Sequence, residues 1–271
     1  MCRLFTPDER QAVLEQMLAA LQTDDRIAGV IVVGSGAVGF EDEYSDIDLA
    51  VVVHQARDVR SVYDHWRAQF KTLLPVRHEF EAPRGPNILL FGLLLDHFLE
   101  IDASFQCLDD LTARRARWRV AFDRSGQITP IMQASWDARE TPDIQATYLR
   151  WVKSIWYYIT HVAIHVERGH LWRAVLDLED LRHRAVVLAG LRHSVETEHY
   201  REVHRLPPDF LAGLEHTLVT HLDEIEIMRA LRAAVDCFFT EAKALDLLLG
   251  LDLAPALETD MYAYIDVIHS A

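Results

Sequence analysis

The chain has 271 residues, half of them apolar, and a formal net charge of −15. So much apolar content supports a packed core and excludes a disordered chain; at roughly 150 residues per domain, the length predicts one large domain or two modest ones. The acidic excess argues against nucleic acid as the main partner, which demands clustered Lys and Arg, and suits a small cationic acceptor.

No apolar run reaches the roughly 20 residues of a membrane span; the longest, Ile88 to Ile101, is broken by Asp96, His97 and Glu100. Met1-Cys2-Arg3 leads into a polar helix without the apolar stretch of a signal peptide. Cys2, Cys107 and Cys237 are far apart and lack metal-ligand spacing, as expected of a protein in a reducing cytoplasm.

Thr6-Pro7-Asp8-Glu9 predicts a capped helix start, followed by Val13, Leu14, Met17, Leu18 and Leu21 at helical spacing. Ile27 to Val33 and Ile47 to Val53 read as buried strands, joined by a glycine-rich, acidic loop from Gly34 to Asp46. A helix over Asp58 to Leu74, with Val59, Val62, Tyr63, Trp66 and Phe70 on one side, precedes a strand over Val76 to Glu81. Pro83-Arg84-Gly85-Pro86 marks a turn. Ile88 to Leu95, His97 to Phe105 and Trp118 to Phe122 read as further strands, and Asp123-Arg124-Ser125-Gly126 as a turn. From Pro142 the pattern is helical almost to the end: Tyr148, Trp151, Val152, Ile155, Trp156 and Ile159 form one stripe, and Leu171 to Leu191 and Asp223 to Leu249 carry others. The expected architecture is an α/β (α+β) domain with a small mixed sheet over 1–126, then an all-α helical bundle over 127–271.

Gly34-Ser35, ten residues, and Asp46-Ile47-Asp48 opening an apolar strand form the strongest chemical signal. Alternation along a strand puts Asp46 and Asp48 on one side and Ile47 and Leu49 on the other. Two carboxylates this close repel unless a cation lies between them, and Mg²⁺ takes one or two carboxylates plus substrate phosphates. Gly34 permits close backbone approach, and the Ser35 hydroxyl and nearby N–H groups suit phosphate oxygens. In Phe98 to Phe105, Glu100, Asp102 and Ser104 share one face, opposite Leu99, Ile101, Ala103 and Phe105. One of these acids completes the site if the strand lies beside Asp46. Asp102 is preferred for its depth in the strand, and Glu100 stays open.

Gly-Ser, a spacer, Asp-x-Asp and a later strand acid resemble the DNA polymerase beta-like nucleotidyltransferase superfamily, and within it the aminoglycoside and lincosamide nucleotidyltransferases. The motifs span residues 27 to 126; Val120 to Gly126 resembles the strand and turn that close that catalytic domain, and Glu167 to Arg182 less specifically resembles the bundle that follows. The resemblance implies two Mg²⁺ ions held by Asp46, Asp48 and a third acid, Asp102 or Glu100. It implies an NTP, ATP being the expectation, held through Gly34, Ser35 and Ser45. It also implies an acceptor hydroxyl attacking the α-phosphorus with loss of pyrophosphate, and a helical domain that shapes the pocket of a small acceptor such as an aminoglycoside. Lys153 is the candidate cation for the triphosphate. The base stays open among the strand acids and Asp177 or Glu179. The expected protein is a monomer or homodimer with no nucleic-acid or membrane partner. Two rivals are a nucleotidyltransferase that adenylylates a partner protein, as in toxin–antitoxin pairs, and a non-catalytic nucleotide sensor on the same fold.

Other patterns carry less. Gly34-x-Gly36-x-x-Gly39 spells a dinucleotide fingerprint, but the seven residues between Gly39 and Ile47 leave no room for a crossover helix. A nucleophile elbow at Ser35 fails because Val33 and Ala37 stand where glycines are required. His161 and His165 have zinc-like spacing, yet Val162 replaces the glutamate of a zinc protease and no third ligand is evident, so packed or surface histidines are expected. Arg114, Arg115, Arg117 and Arg119 read as a solvated, salt-bridged face. Most of Trp151, Trp156, Tyr157 and Tyr158 read as core.

Overall fold

The computed structural model describes residues 4–82, 85, 87–139 and 143–269. Met1 to Arg3, the turn residues Pro83, Arg84 and Pro86, and Pro142 lie outside the described residues. The chain forms two compact units, Met1–Arg139 and Glu140–Ala271.

The first unit is built on a six-stranded mixed sheet, as the sequence predicts. Helix α1 (Pro7–Leu21) starts at a capping box, in which Thr6 and Glu9 each bond the other's backbone N–H. Strands β1 (Ile27–Val33) and β2 (Ile47–Val53) flank the glycine-rich loop, and α2 (Val59–Leu73) leads to β3 (Val76–Glu81). Strands β4 (Leu89–Leu95), β5 (Glu100–Cys107) and β6 (Trp118–Asp123) complete the order β3-β4-β5-β2-β1-β6. Among the described residues, β2 and β5 pair in parallel and the other pairs are antiparallel.

Alternation divides the sheet into two faces. One packs Ile47, Leu49, Val51, Ile101, Ala103 and Phe105 with Leu14, Met17, Val62, Trp66 and Phe70 of α1 and α2. The other carries a smaller apolar cluster in which Ala28, Ile31, Ala50 and Val52 meet Ile128 and Met132 of helix α3 (Ile128–Asp137). The sequence pattern hides α3 and places the change of texture at residue 126. Asp123 starts the helix: its Oδ2 accepts from Ile128 N, and its Oδ1 from the N–H groups of Ser125 and Gly126. Gly29 lets α3 approach, since a Cβ there would lie 2.4 Å from Ile128 Cδ1.

The predicted strand at His97 begins instead at Glu100. His97 and Phe98 both take left-handed backbone (φ 60° and 61°) and form the tip of the β4–β5 hairpin, closed by Leu95 N donating to Leu99 O at 2.9 Å. Hairpin twist favours such conformers, but glycine and asparagine normally supply them.

The second unit is all helical among the described residues: α4 (Ile144–Glu167), α5 (Leu171–His193), α6 (Pro208–Glu215), α7 (Glu224–Leu249) and α8 (Ala254–His269). Its core joins Tyr148, Val152, Ile155 and Ile159 of α4 to Leu178, Leu181 and Ala185 of α5 and Leu231, Phe238 and Phe239 of α7. Buried carboxylates tie helix to helix. Arg192 forks onto Glu241 at 2.5 and 2.7 Å, Tyr148 donates to Asp246 at 2.5 Å, and Asp246 accepts from Leu253 N and Ala254 N at the start of α8. The expectation of a mostly buried aromatic group on α4 is corrected: Trp156 and Tyr157 are exposed, because they fall outside the buried stripe. No helix among the described residues is long and apolar enough to cross a membrane.

Candidate active site

Parallel register sets Asp48 of β2 directly beside Asp102 of β5, with Asp46 two residues earlier at the entrance to β2. By alternation both strand acids lie on the α3 face, on the same side as Ala50 and Val52; both are half-buried, and Asp46 is exposed. The same row crosses the sheet as Phe80, Gly92, Asp102, Asp48 and Val33. The Phe80 ring covers Gly92, where a Cβ would lie 1.9 Å from its Cε1. An exposed aromatic ring therefore stands one strand away from Asp102, a neighbour that the edge strand's plain alternation gives no means to foresee.

Gly34 follows β1 with φ +71°, opening a 3-10 turn over Gly34–Ala37. A Cβ on Gly34 would stand 3.0 Å from Asp48 Oδ2, so the carboxylate rests against bare backbone. Ser35, half-exposed, is the second residue of that turn. Gly34 N donates to Arg117 O, which draws the segment before β6 to the site. Arg115 on that segment places Nη1 3.6 Å from Asp48 Oδ2. The arginine run thus contributes one cation to the acids, beyond the solvated face read from sequence. Lys153 is exposed on α4 of the second unit.

The acidic loop is pinned by a buried cation. Arg10 is 2% exposed, and its guanidinium donates to the carbonyls of Ser45 (2.7 Å), Phe5 and Glu43. Burial lowers the Arg10 pKa against the opposing fields of Asp42, Glu43 and Glu9. Asp42 turns the loop by accepting from Tyr44 N, Ser45 N and the Ser45 hydroxyl, and these bonds hold its carboxyl below the usual range. The Ser45 side chain is therefore engaged within its own loop. Beyond it opens a cavity of about 290 Å³ lined by Arg10, Glu43, Ser45, Asp46, Phe98 and Glu100. Glu100 is exposed at its wall, two residues before Asp102 on the same side of β5.

Asp48 and Asp102 thus stand side by side, with Asp46 two residues before Asp48 in the chain, Gly34 against the Asp48 carboxylate and Arg115 3.6 Å from it. Hard oxygen donors on a part-exposed strand edge suit Mg²⁺, which binds through few carboxylates and keeps room for water and phosphate. Asp177 and Glu179 lie in the second unit: Asp177 is buried, and Glu179 accepts from Tyr200 and pairs with Arg182.

Residues 14–80, from α1 through β3, match the family model described as Nucleotidyltransferase domain. Over these residues the chain resembles the nucleotidyltransferase domain of nucleotide-transferring enzymes. The matched stretch includes Gly34, Ser35, Asp46 and Asp48 and ends before Glu100 and Asp102. The chain is similar, at 13% identity, to the structure of an aminoglycoside 6-adenyltransferase from Bacillus subtilis, with 99% of this chain and 100% of that one covered and a TM-score of 0.47. It is also similar to the Cid1 poly (U) polymerase (14% identity, 65% and 48% covered, TM-score 0.32). A third likeness is to the STING-associated CdnE c-di-GMP synthase from Capnocytophaga granulosa (13% identity, 88% and 82% covered, TM-score 0.33). No curated protein matches the chain.

Proposed function

We propose that this nucleotidyltransferase domain binds an NTP, ATP foremost, with Mg²⁺ and transfers the nucleoside monophosphate to a hydroxyl of a small cationic acceptor of the aminoglycoside type. The side-by-side placement of Asp48 and Asp102 carries the reading. Asp46, Asp48 and Asp102 supply the metal-facing oxygens. Mg²⁺, when bound there, offsets phosphate charge and stabilises the attacking and leaving oxygens. Gly34 gives the carboxylate and phosphates room, and the Ser35 hydroxyl and the N–H groups of its turn hold phosphate oxygens. Arg115 leaves Asp48 for the triphosphate. Glu100, free to reach into the open cavity, takes the proton of the acceptor hydroxyl. That oxygen then bonds the α-phosphorus, the bond from the α-phosphorus to the bridging oxygen breaks, and pyrophosphate leaves.

The net charge of −15 supports a cationic acceptor by long-range attraction. The test is pyrophosphate release from each of the four NTPs with Mg²⁺, across a panel of aminoglycosides and lincosamides. Release that depends on one acceptor and is lost in Asp48→Asn is the expected result. Silence with every small acceptor, alongside a mass increase on a co-expressed protein, would replace the small molecule with a protein substrate. Nucleotide binding without turnover on either would leave a sensor.

A further inference from the structure

Among the described residues, the second unit brings together one group of metal-ligating side chains that the proposed transfer does not use. His161 and His165 stand one turn apart on α4, and Asp177 reaches them from α5. Their ligand atoms all lie within 4.8 Å of one another. His165 Nε2 is 3.4 Å from Asp177 Oδ2. Tetrahedral zinc with bonds of about 2.0–2.1 Å separates neighbouring ligand atoms by roughly 3.3–3.4 Å, so this pair already has a metal-site spacing. The third ligand is hidden in the sequence because it follows His165 by twelve residues, on the next helix.

The carboxylate's condition points to a ligand. Asp177 is 6% exposed, and its Oδ2 has no hydrogen-bond partner. Its Oδ1 lies 3.3 Å from Arg173 Nε, one turn back on α5, so the arginine orients the group from the far side while Oδ2 faces the imidazoles. His165 Nδ1 is buried without a partner too. Simple packing histidines would have closed a hydrogen bond to this carboxylate, and buried polar atoms left open call for an ion, a water or a function. His161 is held by the Tyr157 ring, with centroids 4.0 Å apart.

We propose that His161, His165 and Asp177 bind a divalent transition-metal ion of the zinc class and so clamp α4 to α5. Two imidazoles and one carboxylate suit Zn²⁺, whereas Mg²⁺ and Ca²⁺ prefer all-oxygen shells. Three protein ligands leave a fourth position for water. An ion bound only by the folded chain stabilises it by mass action, so the clamp tightens the helical unit when zinc is present.

The full chain, stripped with a chelator, is titrated with Zn²⁺ by calorimetry, with Co²⁺ by visible absorption, and with Mg²⁺ as comparison. We expect one Zn²⁺ per chain, tetrahedral Co²⁺ bands, and a Tm raised by about 5 °C at saturation that Mg²⁺ does not reproduce. His161→Gln, His165→Gln and Asp177→Asn each weaken binding on the order of 100-fold, while His204→Gln, at an exposed position, leaves it intact. His161 is only half-buried, so its variant keeps the metal-free Tm of the wild type and separates lost binding from lost folding. Failure of the stripped chain to take up stoichiometric Zn²⁺, or equal affinity in the wild type and His161→Gln, overturns the proposal.

Discussion

Asp48 Oδ2 lies 3.0 Å from the point a Cβ on Gly34 would occupy, and Gly34 itself has φ +71°. Two independent requirements therefore meet at one glycine. Alanine there carries left-handed strain of about 1–2 kcal/mol and pushes the carboxylate from its place. Gly34→Ala should lower kcat for pyrophosphate release on the order of 100-fold, as a misplaced group in a positioning mechanism does. Stability falls by no more than the strain. Near-normal turnover in a folded Gly34→Ala protein would detach the glycine from the chemistry.

The two acids of β5 should separate by what they disturb. Asp102 is in register with Asp48, so Asp102→Asn should weaken binding of a fluorescent Mg²⁺–ATP analogue and remove turnover. Glu100 lies at the cavity wall, and Glu100→Gln should keep nucleotide affinity while slowing transfer by about 10²–10⁴-fold, the range of a lost general base. The opposite pattern, with nucleotide binding lost in Glu100→Gln and kept in Asp102→Asn, would exchange the two roles.

Much of this arrangement is legible from local signals. The capping box at Thr6, the apolar runs of β1 and β2 and the alternation of β5 each answer to one rule of chain geometry, and each recurs in the structure. The same alternation puts Asp102 and Glu100 on one face without saying which neighbours Asp48, because register is a long-range property. Helix α3 stays hidden because the carboxylate that receives its first N–H belongs to Asp123, five residues before Ile128 and part of a turn pattern. Arg115 beside Asp48 and Asp177 beside His165 are invisible for the same reason: their partners are distant in sequence or on another element.

Gly92 and Phe80 offer a test of the row across the sheet. A Cβ at position 92 would lie 1.9 Å from Phe80 Cε1, so Gly92→Ala must displace the ring. The crowding should cost about 1–3 kcal/mol in urea denaturation. Adding Phe80→Ala removes the clash and should restore most of that loss, a coupling expected only of residues in contact. Additive losses in the double variant would show that the ring does not rest on Gly92.

Arg10 should matter for stability and for substrate binding together. Replacing it with Met keeps the buried stem but leaves the carbonyls of Ser45, Phe5 and Glu43 without their donor. A destabilisation of about 2–4 kcal/mol is expected, in line with lost bonds to a charged buried group. Hydrogen exchange should quicken at Tyr44 to Asp46, and KM for the nucleotide should rise as Asp46 loses its fixed approach. Unchanged exchange in that loop would mean the arginine holds only α1.

Acid should loosen the join between α1, β1 and α2 through Asp24. The Arg26 guanidinium holds Asp24 down to about 2 from 3.8, against burial and with help from the Arg26 N–H and the Trp66 indole. The folded pKa lies below the unfolded one, so the stabilisation is fully present above about pH 4 and is lost as pH falls towards about 2. It amounts to roughly 2 kcal/mol, since a tenfold change in proton affinity is worth about 1.4 kcal/mol. Asp24→Asn cannot ionise, so its stability measured by denaturant titration should start lower at pH 7 and fall less steeply than the wild type's between pH 4 and 2. Parallel curves through that interval would mean the Asp24–Arg26–Trp66 contacts add nothing to folding.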